Sequence, residues 1–234
     1  MLLVTCIATQ SRATSDSACP TEPVMPPLSL AHLRNALDRD EPIVIVALGS
    51  SSTSGSMASD ANHAYPAILQ KILSQALPEA HIAVINRGIA GQDAAEEVAR
   101  LDSDVIAVKP HLVIWQVGAN STLREADPSV FRHVVLAGVN RLRSAHADVV
   151  LMDNQRAPRI LDKPRHLLID QALADIAAET GVSLFPRSTL MDAWRRDGHP
   201  YELFISHDGL HHNDLGYHCV AMALAREIEA SIRR

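Results

Sequence analysis

Aromatic side chains are scarce, with two Trp, three Tyr and three Phe among 234 residues, too few for a stacking platform that grips sugars or bases. Positive charge is not in excess either. Lys and Arg number 21 against 27 Asp and Glu, a net charge of −6 with a pI near 6.0. A nucleic-acid binder needs clustered cations, so that class of partner is excluded. No apolar run approaches the roughly 20 residues that cross a bilayer, which excludes stable membrane insertion by a helix. Gly55 is followed by Ser56 and no lysine, so the Ser-rich stretch at 50–56 is not a Walker-type phosphate loop. Despite twelve histidines, no Cys and His grouping has the spacing of a structural zinc site, and no metal is expected.

Cysteine is limited to Cys6, Cys19 and Cys219. Residues 1–27 differ from the rest: a short apolar start, then Ser, Thr and Ala, then Cys19-Pro20 and a proline-rich run to Pro27. They read as a leader or as a disordered N-terminal tail. If Cys6 belongs to a leader, Cys19 and Cys219 are left as an even pair that an exported protein is free to join, tying an N-terminal arm to the last helix. The alternative makes Cys219 a buried small hydrophobe and Cys19 a free thiol. A periplasmic or secreted location and a cytoplasmic one are both compatible with the chain.

With 47% hydrophobic residues and no second composition regime, residues 28–234 are expected to form one domain. Apolar strands read at 43–48, 81–86, 111–117, 148–152 and 182–185. Helical patterns fall at 28–38, 65–77, 93–101, 128–146 and 164–180, with a last one at 215–232 where Val220, Leu224, Ile228 and Ile232 recur every fourth residue. Continuous Val/Ile runs mean strands covered on both faces. The fold class is therefore α/β, a five-stranded parallel sheet in a three-layer α/β/α sandwich. Right-handed crossovers put the strand ends on one edge, where the connecting segments converge.

Those segments carry the chemistry. The first strand breaks into Gly49-Ser50-Ser51-Ser52, which presents hydroxyls at the carboxyl edge of the sheet. The second leads into Asn86-Arg87-Gly88-Ile89-Ala90-Gly91-Gln92, and the third into Gln116-Val117-Gly118-Ala119-Asn120-Ser121. Near the C-terminus, Asp208 and His211 stand three residues apart just ahead of the last helix, so one short loop delivers an acid and an imidazole to one point. A nucleophile, a base, its orienting acid and oxyanion donors are the parts of a serine acyl-transfer site. Any of Ser50, Ser51 and Ser52 satisfies the first requirement from sequence alone. The elbow of α/β-hydrolases is excluded, because Gly49-Ser50-Ser51-Ser52-Thr53 lacks its second glycine.

In their order and placement the four blocks resemble the SGNH subgroup of the GDSL hydrolases, a family of serine esterases and lipases with a flavodoxin-like fold, over residues 43 to about 217. The resemblance implies Ser51 as nucleophile, His211 as general base and Asp208 as its partner. It also implies an oxyanion hole from the N–H groups of Ser51 and Gly91 and the side chain of Asn120, and no cofactor. The family's Gly-Asp-Ser is Gly49-Ser50-Ser51 here, its Gly-x-Asn-Asp is Gly118-Ala119-Asn120-Ser121, and His212 stands where a proline often follows the histidine. None of these removes a reacting group.

The function implied is hydrolysis of an ester, short-acyl or acetyl, on a small molecule or glycan. Acyl transfer to a sugar or alcohol uses the same residues, and a non-catalytic carbohydrate- or phosphate-binding module is a third option on this fold. Asp153, Asn154, Gln155 and Arg156 follow the fourth strand and face the same edge; Asp153, Gln155 and Arg156 are candidate substrate contacts, with local capping and pairing as the alternative. Met191 and Trp194 read as core. Gly88 and Gly91 read as turn glycines that need positive φ, with Gly91 also open to substrate.

Overall fold

A computed structural model describes residues 19–233. In chain order the elements are α1 (Ala31–Asp38), β1 (Ile43–Gly49), α2 (Ser51–Ser54), α3 (Tyr65–Ala76), β2 (Ile82–Gly88), α4 (Ala94–Ala99), α5 (Leu101–Asp104), β3 (Leu112–Gln116), α6 (Ala119–Leu123), α7 (Pro128–Ser144), β4 (Asp148–Met152), α8 (Pro158–Leu161), α9 (His166–Thr180), β5 (Ser183–Phe185), α10 (Arg187–Arg196) and α11 (Asp214–Ile232). The strands pair in parallel in the order β2-β1-β3-β4-β5. The order reverses between β1 and β3, and in open α/β sheets that reversal opens a crevice at the carboxyl edge.

Side chains alternate across the sheet, and each set meets its own helical layer. On one face Ile43, Ile45 and Ala47 of β1, Ile114 of β3 and Met152 of β4 pack with Leu69, Leu73, Trp194 and Leu224, from α3, α10 and α11. On the other, Val46, Leu48, Val113, Trp115 and Leu151 pack with Leu101, Phe131, Val135, Leu142 and Leu173, from α5, α7 and α9. Both layers are needed because β1, β3 and β4 are buried along nearly their whole length. The α/β/α sandwich inferred from the continuous Val/Ile runs is the architecture found.

Several helices are set by local chemistry. Asp127 accepts from the Ser129 and Val130 N–H groups while Pro128 takes the first helical position of α7, a side-chain cap and a pre-set φ together. Asp93 caps α4 in a reciprocal box with Glu96, as expected for a helix start. The single helix read at 93–101 is two pieces, because Arg100 leaves helical geometry (φ −106°, ψ 8°) and its guanidinium donates to the Gly49 and Arg87 carbonyls at the ends of β1 and β2.

The boundary drawn after residue 27 falls inside packed structure. Cys19 is bonded to Cys219 of α11, Glu22 pairs with Arg226 at 2.8 Å, Met25 is buried, and the Leu28 N–H donates to Ser231. An arm from residue 19 onward therefore lies along the last helix. Cys6 and the short apolar start, read as part of a leader or of a tail, lie outside the described residues.

Candidate active site

Of the three adjacent serines, Ser50 and Ser52 are buried, and Ser51 is the one whose hydroxyl reaches an imidazole. Ser50 occupies the N-cap of α2 and Ser51 its first position, where a backbone N–H has no partner within the helix. The end of β2 and the residue after it hold this turn: the Asn86 amide donates to the Thr53 carbonyl at 2.9 Å, and the Ile89 N–H donates to the Gly49 carbonyl at 3.0 Å. Gly88 does not have positive φ; its reason is close approach, since an ideal Cβ there would lie 2.1 Å from the Ser54 nitrogen.

The terminal loop is folded back by an antiparallel bridge between Ile205 and His212 and by the Ser206 N–H donating to the His211 carbonyl at 2.7 Å. Inside that loop Asp208 Oδ1 accepts from the Leu210 and His211 N–H groups at 2.9 and 3.0 Å. Its Oδ2 lies 2.5 Å from His211 Nδ1, and His211 Nε2 lies 2.7 Å from Ser51 Oγ. Burial pushes the Asp208 carboxyl up, but the hydrogen bonds from the His211 ring and the two backbone N–H groups outweigh it and hold it below the ordinary carboxylate range. An ionised Asp208 fixes the proton of His211 on Nδ1, so the Nε2 lone pair faces the serine.

His212 has the opposite surroundings. It is fully buried, its Nδ1 donates to the Phe204 carbonyl at 3.1 Å, and burial, with the Arg187 cation adding, pushes its pKa down to about 3. It is a neutral packing histidine against Tyr217.

Gly91 is exposed with φ +83°, the left-handed region that favours glycine. Asn120 sits in α6, beyond β3, and donates to the Gln92 carbonyl at 2.8 Å. One amide hydrogen is used there and the other is available to a ligand. The loop after β2, the start of α2 and α6 thus meet where the strand order reverses. The Ser51 and His211 pair holds a hydroxyl next to an imidazole.

Asp153, Gln155 and Arg156 lie elsewhere than a substrate surface: all are buried and they bond to internal partners. Ser188 donates to Asp153 through its N–H and its hydroxyl, the latter at 2.5 Å; burial and the neighbouring Asp170 push the Asp153 carboxyl up to about 7. Arg156 pairs with Asp170 and Asp192 at 2.8 and 3.0 Å. Gln155 accepts from Arg187 at 2.8 Å and donates to the Leu210 carbonyl at 3.0 Å. Gln155 ties the terminal loop to the segment after β4, while Asp153 and Arg156 tie that segment to α9 and α10, the local-pairing alternative. Arg187 and Arg100 escaped sequence reasoning as supports, because each is a charged residue in an ordinary helical segment whose partners include backbone carbonyls distant in sequence. Met191 and Trp194 are core, Trp194 against Phe204.

The model of the non-GDSL lipase-like family matches residues 16–234. Esterase TesA of Pseudomonas aeruginosa is 27% identical over 136 residues, 58% of this chain and 66% of that protein. An acetylxylan esterase of Geobacillus stearothermophilus is 38% identical over 63 residues, 27% of this chain and 29% of that protein. Both shares fall short of two thirds of the relative. Among solved structures, a two-domain esterase active on acetylated mannans superposes with a TM-score of 0.76 at 22% identity, covering 89% of this chain and 55% of that one. That likeness is one of fold. The family match spans nearly the whole chain, and this protein belongs to the non-GDSL lipase-like family of SGNH-type hydrolases.

Proposed function

We propose that the protein is a carboxylic ester hydrolase working through Ser51, His211 and Asp208, with the N–H groups of Ser51 and Gly91 and the Asn120 amide as oxyanion donors. The observation that carries this reading is the unbroken hydrogen-bonded line from the Asp208 carboxylate through the His211 ring to the Ser51 hydroxyl. Ser51 Oγ attacks the ester carbonyl carbon while His211 Nε2 takes its proton. The carbonyl oxygen becomes an oxyanion held by the three donors, each of which is worth roughly 100-fold or more in turnover in comparable sites. The tetrahedral intermediate collapses, the imidazolium returns its proton to the departing alkoxide, and an acyl-Ser51 remains. Water, deprotonated by the same Nε2, attacks the acyl carbon; the bond to Ser51 Oγ breaks, the imidazolium returns its proton to that oxygen, and the acid is released.

The substrate is a short-acyl ester, an acetyl group on a glycan being the reading best supported. Gly91 is exposed, and an added Cβ there would meet nothing within 4 Å, so the donor loop is open to a bulky polar alcohol. Two of the relatives are named for acetylated polysaccharides. The bond between Cys19 and Cys219 supports export to an oxidising compartment, where disulfides persist. The test is release of acetate from acetylated xylan and mannan beside p-nitrophenyl esters of two, four and eight carbons. Fastest turnover on the acetyl ester with acetate released from a glycan is expected; preference for the eight-carbon ester with no acetate from either glycan contradicts the substrate class.

A further inference from the structure

We infer that Arg124 is a positioning residue for the oxyanion site, setting the Gly91 peptide from the same helical turn that supplies Asn120. The inference rests on the proposed roles of Gly91 and Asn120. Arg124 Nη2 donates to the Gly91 carbonyl at 2.8 Å. Its Nη1 pairs with Asp93 at 2.5 Å and Glu96 at 3.2 Å, the two residues of the box that starts α4. One planar guanidinium therefore fastens the Gly91 peptide to the helix that follows it, a use for which the fork of arginine is suited and a point-charge lysine is not.

Gly91 needs such a tie. It has no Cβ, its φ is +83°, and the space where a side chain would sit has no atom within 4 Å, so packing does not hold it. The loop's own hydrogen bond, from the Gln92 N–H to Ile89, is long at 3.4 Å. The Ile89 N–H is fixed to the Gly49 carbonyl at 3.0 Å, and Gly91 and Gln92 themselves are held by side chains from outside the loop: Arg100 to the Gln92 amide oxygen at 2.6 Å, Asn120 to the Gln92 carbonyl at 2.8 Å, and Arg124 to the Gly91 carbonyl. Asn120 and Arg124 are four residues apart and joined through the Arg124 N–H to Asn120 carbonyl bond at 2.9 Å, so they project from one face of the turn. The Gly91 carbonyl lies in the peptide plane shared with Gln92, and Gly91 Cα joins that plane to the Ala90–Gly91 peptide whose N–H is the proposed donor, so holding the carbonyl limits the ψ of Gly91 and with it the relative setting of the two planes. Arg124 touches no reacting atom; it acts through Gly91.

Half of the Arg124 side chain is exposed, at 51%, and ion pairs of that kind add little to stability. A purely structural role would thus show in neither turnover nor melting temperature. The experiment compares wild type with Arg124→Ala and Arg124→Lys, reading kcat and KM for p-nitrophenyl acetate, the affinity of a trifluoromethyl ketone that forms a tetrahedral adduct with serine, and the melting temperature. Arg124→Ala is expected to lower kcat about tenfold, a fraction of the loss from deleting a donor outright. KM should stay within about twofold, ketone affinity should fall in step with kcat, and the melting temperature should change little. Arg124→Lys, which keeps a cation beside Asp93 and Glu96, should fall between and keeps the test alive if the alanine variant folds poorly. Unchanged kcat, or a loss confined to KM with ketone affinity intact, overturns the inference. If Ser51→Ala keeps its turnover, the reading of the site has failed instead; if Ser51→Ala is inactive and Arg124→Ala is as fast as wild type, only the role of Arg124 has.

Discussion

The Gln155 amide donates to the Leu210 carbonyl at 3.0 Å, joining positions 55 residues apart and linking the end of β4 to the loop that holds Asp208 and His211. Leu210 in turn donates its N–H to Asp208, so the chain of contact runs from Arg187 through Gln155 to the acid of the site. Gln155→Leu keeps the shape and leaves the Leu210 carbonyl and an Arg187 N–H short of a partner. A loss of about 1–3 kcal/mol is expected from those buried orphans, with a fall in kcat as the loop loosens. Urea unfolding and p-nitrophenyl acetate turnover measure the two effects; wild-type values in both would remove Gln155 from the support of the loop.

Gly88 and the backbone of α2 are in closer contact than any side chain permits. Gly88→Ala places a methyl within 2.1 Å of the Ser54 nitrogen and 2.6 Å of the Thr53 carbonyl carbon, and backbone cannot step aside as a flexible side chain does. Overpacking of this kind typically removes about 1–3 kcal/mol, and here the displaced turn carries Ser51. A lowered melting temperature together with a lowered rate of fluorophosphonate labelling is the expected result; a variant that labels as fast as wild type shows that α2 is not held by this contact.

Glu97 is buried beside Trp115, which donates to it through Nε1 at 2.8 Å, and burial raises its pKa from 4.5 to about 8. Between those values the folded protein holds a proton that the unfolded chain has lost. The stability Glu97 contributes is complete below about pH 4.5, declines as pH rises, and is fully lost above about pH 8, at no more than ~1.4 kcal/mol per pH unit. Glu97→Gln keeps an acceptor for Trp115 and removes the titration, so it gains on wild type as pH rises from about 5 to about 8. Asp153 slopes the same way in both proteins and cancels in the difference. Parallel unfolding profiles across that range would rule out a buried, protonated Glu97.

The bond between Cys19 and Cys219 closes a 200-residue separation. Long loops lose the most unfolded-state entropy on cross-linking, so its removal is expected to cost roughly 3–5 kcal/mol. Cys19→Ser is the cleaner variant, because Cys219 is fully buried in α11. A lower melting temperature with kcat retained is expected, since the arm lies along α11 and leaves the Ser51–His211 contact untouched; an unchanged melting temperature means the bridge contributes nothing.

Much of this was legible from the chain because the physics was local. Runs such as 43–48 and 111–117 are apolar at nearly every position, as a strand covered on both faces requires, and the strand ends then had to share one edge. Asp208 and His211 meet through a three-residue spacing within a single loop, so their pairing follows from the loop alone. What was hidden depends on contacts between segments far apart. Gln155 and Asp153 are polar residues after a strand, and sequence does not say whether such residues face solvent or a buried arginine; Arg187 decides it from 32 residues away. The short helices α2, α6 and α8, four or five residues each, are below the length at which helical periodicity is readable. Which of three serines points at the imidazole depends on how α2 leaves β1, and Gly88 of a neighbouring strand lies against that turn, a contact that no local pattern announces.

Whether Ser51 is an activated nucleophile is decided by fluorophosphonate labelling beside p-nitrophenyl acetate hydrolysis on wild type and Ser51→Ala, with the labelled peptide sequenced. A single adduct on Ser51 and turnover that falls on the order of a thousandfold or more in the folded variant are expected. A folded Ser51→Ala protein that retains its turnover, or takes the label on another residue, contradicts that role.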